Sequence, residues 1–214
     1  MEQYQHVSQL IALTMGVAWA SGINLYAAML MLGLMGATGN IELPSGLTVL
    51  SDPMVIGAAG LMYCVEFFAD KTPGVDTAWD ALHTFIRLPA GAALAAGAVA
   101  DVGPAAQLAA AVIGGGLAAA SHATKAGTRV AINTSPEPFT NWAASISEDF
   151  MVIAGLWAAL NHPVLFLGLL VLFMFMVAWL LPRLWRFAKR VFAAIGRFFG
   201  SRKPQNADLG GAPG

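Results

Sequence analysis

The sequence predicts an all-α protein that crosses a membrane several times as a bundle of about six helices. Of its 214 residues 57% are hydrophobic and only 11% are charged, whereas a soluble domain carries about 25% charged residues. The apolar stretches are each close to the roughly 20 residues that a helix needs to cross the hydrocarbon core. They fill most of the chain, so we expect no separate soluble domain.

Residues 8 to 37 form the first apolar segment, which polar side chains interrupt at Ser21 to Tyr26. One interpretation is a long tilted helix whose Ser21 and Asn24 bond to the backbone or to a neighbouring helix. The other is a broken helix that lines a cavity, because free backbone is tolerated at that depth only where protein or water satisfies it. No Lys or Arg precedes this segment, so we interpret it as a retained helix rather than a signal peptide.

Breaks rich in proline and glycine separate the remaining helices. Pro44 and Gly46 lie in a predicted exposed loop at 39–53 that carries no Lys or Arg. Gly103-Pro104 and the Pro136–Pro138 region cannot continue a helix. The helices predicted between the breaks are 54–70, 79–100, 106–132, 140–160 and 164–181.

Beyond Pro182 the pattern becomes amphipathic and basic. Apolar residues repeat every three or four positions, and arginines occupy another face: Leu184, Phe187, Val191, Ile195 and Phe198 against Arg183, Arg186, Arg190 and Arg197. This pattern is typical of a helix that lies in the membrane plane and binds anionic lipid headgroups. We therefore divide the chain into a transmembrane domain (1–181), a basic interfacial helix (182–200) and a disordered tail (201–214).

The distribution of charge predicts the orientation. Residues 1–149 carry 11 acids and four bases, while the other seven bases all lie after residue 182. By the positive-inside rule the C-terminal end is cytoplasmic, which predicts a multi-pass protein of the cytoplasmic (inner) membrane. Six full spans would place the N-terminus on the same side, but if either charged hairpin is re-entrant the count falls to five or four.

Two charged hairpins stand out against this apolar background. The first joins the second and third helices, and the second joins the fourth and fifth. They share a proline-containing break followed by Trp79 or Trp142, which leaves open an internal repeat of the kind found in transporters. Our candidate binding residues are those of both hairpins and one residue of the first helix: Asn24, Glu66, Asp70, Lys71, Asp76, Asp80, His83, Arg87, His122, Lys125, Arg129, Glu137, Glu148 and Asp149.

The charges of the two hairpins are complementary. Acids at i and i+4 precede the break of the first hairpin, and bases at equivalent spacing precede the break of the second, so each set lines one helical face. We predict that Glu66 and Asp70 face Lys125 and Arg129. We also predict that Arg87, after the first break, faces the acids after the second, Glu148 and Asp149.

Three classes of function are compatible with these residues. Ionisable groups within a membrane commonly mark a pathway, and the acids outnumber the bases, so the first class passes a small charged solute, cation or proton, with His83 and His122 as relays. The second is a non-catalytic scaffold in which the charges pair structurally, with homo-oligomers left open. The third, an enzyme, is not favoured, since only Asp76, Asp80 and His83 approach a metal-ligand set and no catalytic motif is present. We predict no catalytic residue, cofactor, metal or nucleic-acid partner.

Three segments resemble a family of bacterial integral membrane proteins known only as a domain of unknown function. They are SGINLY at Ser21–Tyr26, ADKTPGVDTAWD at Ala69–Asp80, and the run from HATKAGTR to NTSPEPFTNW at His122–Trp142. The resemblance covers roughly residues 8 to 161. It implies that the polar hairpins form one unit and implies nothing about a substrate.

Overall fold

The computed structural model describes residues 2–72, 74–134 and 138–200, and these residues contain helices and no strand. A short 3-10 helix, Ser45–Ser51, lies between the first two of six α-helices. The α-helices are α1 (Glu2–Ala37), α2 (Pro53–Ala69), α3 (Val75–Ala98), α4 (Pro104–Ile132), α5 (Pro138–Asn161) and α6 (Pro163–Gly200). The predicted all-α fold is confirmed, and four of the five predicted helices after the first begin within two residues of the observed start.

Local sequence explains where these helices begin. Asp52 accepts a hydrogen bond of 2.7 Å from the backbone N–H of Met54 and so caps α2. Prolines occupy the first position of α2, α4, α5 and α6, where the missing N–H removes no hydrogen bond. Gly103 precedes α4 with a φ of 127°, a conformation that favours glycine.

Helix α1 is broken at Asn24, which has the non-helical angles φ −144° and ψ 95°. The Asn24 side-chain oxygen accepts a hydrogen bond of 2.9 Å from the N–H of Ala27. This is the geometry of an N-cap, so Asn24 ends the first half of α1 and starts the second. The predicted break in the helix is confirmed, and Ser21 and Asn24 also bond to the backbone and to a neighbouring helix as the first interpretation predicted. That the break lines a cavity stays a prediction.

The first half of α1 runs parallel to α4. Ala18 lies against Gly114, near the middle of α4, and Gly22 lies against Ser121, seven residues further on. A methyl group on Gly22 would overlap the Ser121 hydroxyl, so the close approach requires glycine at this position. The first half therefore runs from the end of the bundle where α4 begins toward the level of Asn24.

The second half of α1 turns back to the same end of the bundle. Gly33 lies against Leu50 in the 3-10 helix, and that helix is held at the α3–α4 turn by a 3.1 Å hydrogen bond from the Ser45 N–H to Asp101. His6, near the start of α1, lines one cavity together with Glu42, beyond its end. The two halves of α1 therefore form a V whose apex is Asn24.

Helix α1 is the centre of the bundle. It contacts all five other α-helices, whereas α2 and α3, although joined by a turn, hardly touch, and the same holds for α4 and α5. The closest helix pair is α3 with α4, where Gly91 lies against Ala118 and Gly114 against Ala95. The two helices of each hairpin are thus splayed, and α1 packs between the arms of each.

The described residues contain four helices long and apolar enough to cross a membrane, or five if the 3-10 helix and α2, bent by 70°, form one span. Helix α3 is not among them. The chain is a multi-pass membrane protein, and its four or five candidate spans lie within the range of four to six that the sequence left open. The start of α1 and the later part of α6 lie at opposite ends of the bundle, whereas six full spans would have placed both on one side.

The C-terminal region is described only in part. Helix α6 continues through Pro182 to Gly200, and Leu184 lies against Gly127 of α4. The first turn after Pro182 therefore packs on the bundle. The membrane-plane orientation of the basic helix stays a prediction, and the tail at 201–214 lies outside the described residues.

Candidate functional site

Ten ionisable side chains are buried between the apex of α1 and the turns of the two hairpins, and we call them the charged network. They are six acids and four bases: Glu66, Asp70, Asp76, Asp80, Glu148 and Asp149 with Lys71, Arg87, Lys125 and Arg129. The acids exceed the bases by two. Two imidazoles, His83 and His122, are buried beside them.

Lys125 lies among the carboxylates of the network. Its Nζ atom is 2.8 Å from Asp70, 3.3 Å from Glu66 and 3.5 Å from Glu148, and Asp80 lies 3.8 Å away. These acids come from α2, from α3 and from α5. The prediction that Glu66 and Asp70 face the bases of α4 is confirmed, and a single ammonium group joins three helices.

Arg87 joins α2 and α3 through two of its nitrogens. Nη2 lies 2.5 Å from Glu66 Oε1, and Nη1 lies 3.1 Å from Asp80 Oδ1. Asp80 precedes Arg87 by seven residues, or about two helical turns, so both point from one face of α3. Nη1 also lies 3.4 Å from Nδ1 of His122, which places Arg87 against α4.

Our prediction that Arg87 faces Glu148 and Asp149 is wrong. Glu148 instead makes a bidentate pair with Arg129, at 2.6 Å to Nη2 and 3.2 Å to Nε. The reason is the order of the helices, because α3 packs along α4 and the charged face of α5 meets α4 and α1. The sequence showed that the two hairpins carry opposite charges, but it did not show which helix of one hairpin packs on which helix of the other.

Asp149 is held by neutral donors. The Asn24 amide donates to one carboxylate oxygen at 2.8 Å, and the Tyr63 hydroxyl donates to the other at 3.3 Å. Asn24 is also the first residue of the second half of α1, whose N-terminal end carries a partial positive charge. In the described part of the chain Asp149 forms no ion pair, so these donors and the helix end offset its charge.

Asp76 has a structural role. Its carboxylate accepts hydrogen bonds from the N–H of Gly74 at 2.9 Å, the N–H of Thr77 at 2.6 Å and the Asn133 amide at 2.8 Å. These bonds hold the first turn of α3 and tie it to the end of α4. All its contacts lie at the hairpin turn, away from Lys125.

Lys71 lies at the turn that follows α2. Its Nζ donates to the Phe67 carbonyl at 3.1 Å and lies 3.4 Å from the Ser145 hydroxyl, and it sits 2.8 Å from the centre of the Phe67 ring. Burial lowers the pKa of Lys71. Among the described residues it forms no ion pair, so it does not neutralise an acid directly.

The two buried histidines hold separate hydrogen bonds. His83 contacts the Trp79 carbonyl through Nδ1 at 2.9 Å and the Tyr26 hydroxyl through Nε2 at 3.2 Å. Since a carbonyl only accepts, Nδ1 carries the proton and Nε2 accepts from Tyr26. His122 Nε2 bonds to Thr84 at 2.7 Å. In the described structure no hydrogen bond joins the two rings, so a direct relay between them is not formed.

Three carboxylate oxygens of the network are buried without a hydrogen-bond partner in the described structure: Glu66 Oε2, Asp70 Oδ1 and Asp80 Oδ2. Each belongs to an acid whose other oxygen lies within 3.8 Å of Lys125. Leaving such oxygens unsatisfied costs free energy, so they are suited to accept a proton, a cation or water. No three His, Cys, Asp or Glu residues of the described chain are placed to hold a metal ion, so Asp76, Asp80 and His83 do not form a metal site.

One candidate, Glu137, lies outside the described residues. Several contacts were not predicted, and all involve uncharged residues: Tyr63 to Asp149, Thr84 to His122, Ser145 to Lys71, and Asn133 and Asn141 to Asp76 and Arg129. Asn133 and Asn141 flank the break between α4 and α5 and bond to each other at 3.2 Å. For each asparagine, the only signal in the sequence was an amide side chain close to a proline-containing turn.

Comparison with curated proteins and with solved structures gave no match. A family model, described as a domain of unknown function (DUF4126), matches residues 11–183. The match includes every described residue of the charged network and the break in α1 at Asn24. The chain therefore belongs to the DUF4126 family.

Proposed function

We propose that this protein passes a small cation or a proton across the membrane through the charged network. The observation that carries the proposal is the excess of two acids among ten buried ionisable groups, together with the unpartnered oxygens of Glu66, Asp70 and Asp80. An isolated buried charge is very costly, so in practice it is paired or neutralised. Protons or bound cations would supply the missing positive charge.

The broken helix α1 supports this proposal. Secondary transporters commonly bind their substrates where a membrane helix is interrupted, because the two half-helix ends offer free backbone groups. Here the Ile23 carbonyl accepts a hydrogen bond of 3.1 Å from Lys125, and the second half of α1 begins beside Asp149. The break therefore lies at the network itself.

The orientation that we propose places the charged network nearer the cytoplasmic face of the inner membrane. The end of the bundle that holds the 3-10 helix carries Glu42, Asp52 and Asp101 and no Lys or Arg. The opposite end holds the basic part of α6. By the positive-inside rule this end is cytoplasmic, and the exposed Arg183 and Arg186 would then contact anionic headgroups.

Flux measurements test the proposal. Purified protein in liposomes is expected to pass protons, Na⁺ or K⁺ down an imposed gradient, and Asp70→Asn is expected to reduce the rate at least tenfold by removing one of the unpartnered oxygens. Asp101→Asn, at an exposed turn, is the matched control and should leave the rate unchanged. Absence of flux from folded wild-type protein for all three ions would overturn the proposal.

A second candidate is a membrane scaffold. It is favoured by network members whose charged groups already have protein partners. Arg129 and Glu148 form a bidentate pair, and Asp76 accepts hydrogen bonds from Gly74, Thr77 and Asn133. Such groups specify how the helices dock without needing a solute. Folded wild-type protein that gives no flux, together with loss of folding in network variants, would favour this candidate.

A further inference from the structure

A groove on the outside of the bundle leads from the apolar part of the protein into the charged network. It consists of two adjoining cavities of about 310 and 330 Å³. Both are lined by Trp19 of α1, Met151 of α5 and Phe173 of α6. Because the cavities share these three side chains, they adjoin along α5 and α6, and we call the two together the groove.

The two ends of the groove differ in chemistry. The end near the α5–α6 turn is apolar and is lined by residues such as Ala154, Ala158 and Phe166. The other end reaches Lys125 and Glu148 and several hydroxyl groups: Ser121, Thr124, Thr128 and Ser147. A groove that is apolar at one end and charged at the other matches an amphiphile.

The length of the groove fits a single hydrocarbon chain. Its lining along α5 extends from Ala144 to Ala158, and 14 residues at 1.5 Å each span about 21 Å. This exceeds half of the roughly 30 Å hydrocarbon core of a bilayer. A chain that enters from the lipid can therefore reach the level of Glu148.

The charged end favours a cationic head group. An ammonium group has three N–H donors, and Lys125 already has three acceptors within 3.3 Å: Ile23 O, Glu66 and Asp70. Lys125 therefore has no donor left for a carboxylate or phosphate. Glu148 is the most accessible ion-paired carboxylate around Lys125, with 11% of its side chain exposed, and the acids Asp70 and Asp80 are at most 3% exposed.

We propose that this groove binds a single-chain amphiphile with a primary ammonium head, the head at Glu148 and the chain along Met151, Ala154 and Phe173. The ammonium supplies positive charge to a network in which acids outnumber bases by two. A phospholipid with an ethanolamine head fits less well, because its phosphate would need a free donor beside Lys125. The proposal goes beyond ion passage, since binding at this groove does not require transport.

Photolabelling of the purified full-length protein tests the groove. The probe is a twelve-carbon primary amine with a photoreactive group on its chain, and labelled positions are located by peptide mass spectrometry. We expect labelling between residues 150 and 173, reduced at least tenfold by Ala154→Phe, which fills the groove. Ile153→Phe, at an adjacent residue that is 46% exposed outside the groove, is the matched control and should label like the wild type. Equal labelling of the Ala154→Phe protein would overturn the site.

Competition identifies the head group. Unlabelled dodecylamine is expected to displace the probe at least tenfold more effectively than dodecanol, dodecanoate or a phosphatidylethanolamine. Equal displacement by dodecanol would show that the groove binds the hydrocarbon chain without selecting an ammonium head, which would overturn the assignment of the head group. Stronger displacement by dodecanoate or by the phospholipid would overturn it as well. Labelling without ion flux would support this site and overturn the proposed transport. Flux without labelling would support the transport and overturn this site.

Discussion

The Nζ atom of Lys125 lies 3.1 Å from the carbonyl oxygen of Ile23. In an unbroken helix that carbonyl would accept the N–H of Ala27, but this N–H bonds to the Asn24 side chain instead. The break at Asn24 therefore provides the acceptor that one N–H of Lys125 uses. The broken helix and the charged network are one structural unit, and a change in either should affect the other.

Replacement of Asn24 by alanine should weaken this unit. Asn24→Ala removes both the cap of the second half of α1 and the donor to Asp149, and each loss costs about 1 kcal/mol or more. We expect the free energy of unfolding, measured by detergent titration, to fall by about 2–4 kcal/mol. Thr14→Val, which removes a hydroxyl that bonds within α1 to Leu10, is the control and should cost much less. Equal losses in the two variants would contradict the linking role of Asn24.

Lys125 should couple energetically to Asp70. Lys125→Met leaves several acids close together without their shared cation, and removal of one partner of a buried ion pair costs about 3–5 kcal/mol. The double variant Lys125→Met/Asp70→Asn restores the excess of two acids, so we expect it to lose about 1–3 kcal/mol less than the sum of the single variants. Unfolding of the four proteins in mixed micelles measures this coupling energy.

Lys71 provides a matched control for that cycle, because it is a buried lysine that forms no ion pair in the described structure. Lys71→Met should cost clearly less than Lys125→Met and should couple to Asp70→Asn more weakly than Lys125→Met does, since Lys71 lies beside Asp70 in the chain but forms no ion pair with it. Strictly additive losses for Lys125 and Asp70 would show that the 2.8 Å contact contributes nothing to stability.

Arginine should be required at position 87. The two nitrogens of Arg87 reach Glu66 and Asp80 at once, whereas a lysine offers one point charge on a flexible stem. We expect Arg87→Lys to lower the midpoint of thermal unfolding in detergent, by a loss of about 1–3 kcal/mol. Arg183→Lys, on the exposed part of α6, should remain within about 0.5 kcal/mol of the wild type. An unchanged midpoint for Arg87→Lys would argue that only the charge matters.

The V shape of α1 predicts which positions share a side of the membrane. In a Cys64→Ser background, cysteines at His6 and Asn40 should react with an impermeant maleimide from the same side of intact cells. A cysteine at Thr134, at the other end of the bundle, should react only after permeabilisation. A straight α1 would separate His6 from Asn40, so labelling of these two positions from opposite sides would exclude the V.

The helices and half of the site could be predicted from the sequence because their signals are local. Apolar length and the proline breaks located the starts of α2 to α6 within a few residues, whereas α6 runs past Pro182. The i, i+4 spacing of Glu66 and Asp70 placed both on one helical face, and only basic side chains could neutralise that face. Lys125 and Arg129 were the matching set within the chain, so this pairing was predictable without knowledge of the packing.

The partner of Arg87 and the path of α1 depended on tertiary packing. Whether Arg87 meets Glu66 or Glu148 is decided by which helices touch, and small residues such as Gly91 and Gly114 bring α3 against α4. Many small residues occur in this sequence, so their partners could not be identified in advance. Asn24 was a recognised irregularity, but an asparagine in a membrane helix can bond within the helix or end it.

The close packing of α3 on α4 has a mechanical consequence. Where Gly91 meets Ala118 and Gly114 meets Ala95, almost no side chain separates the backbones, so these helices cannot slide past each other without steric overlap. Helices α4 and α5 hardly touch, and α6 contacts α1 through large aromatic side chains such as Trp19, Phe166 and Phe173. We therefore expect the α3–α4 pair to keep its arrangement, and any opening of the network toward lipid to move α5 and α6 against it.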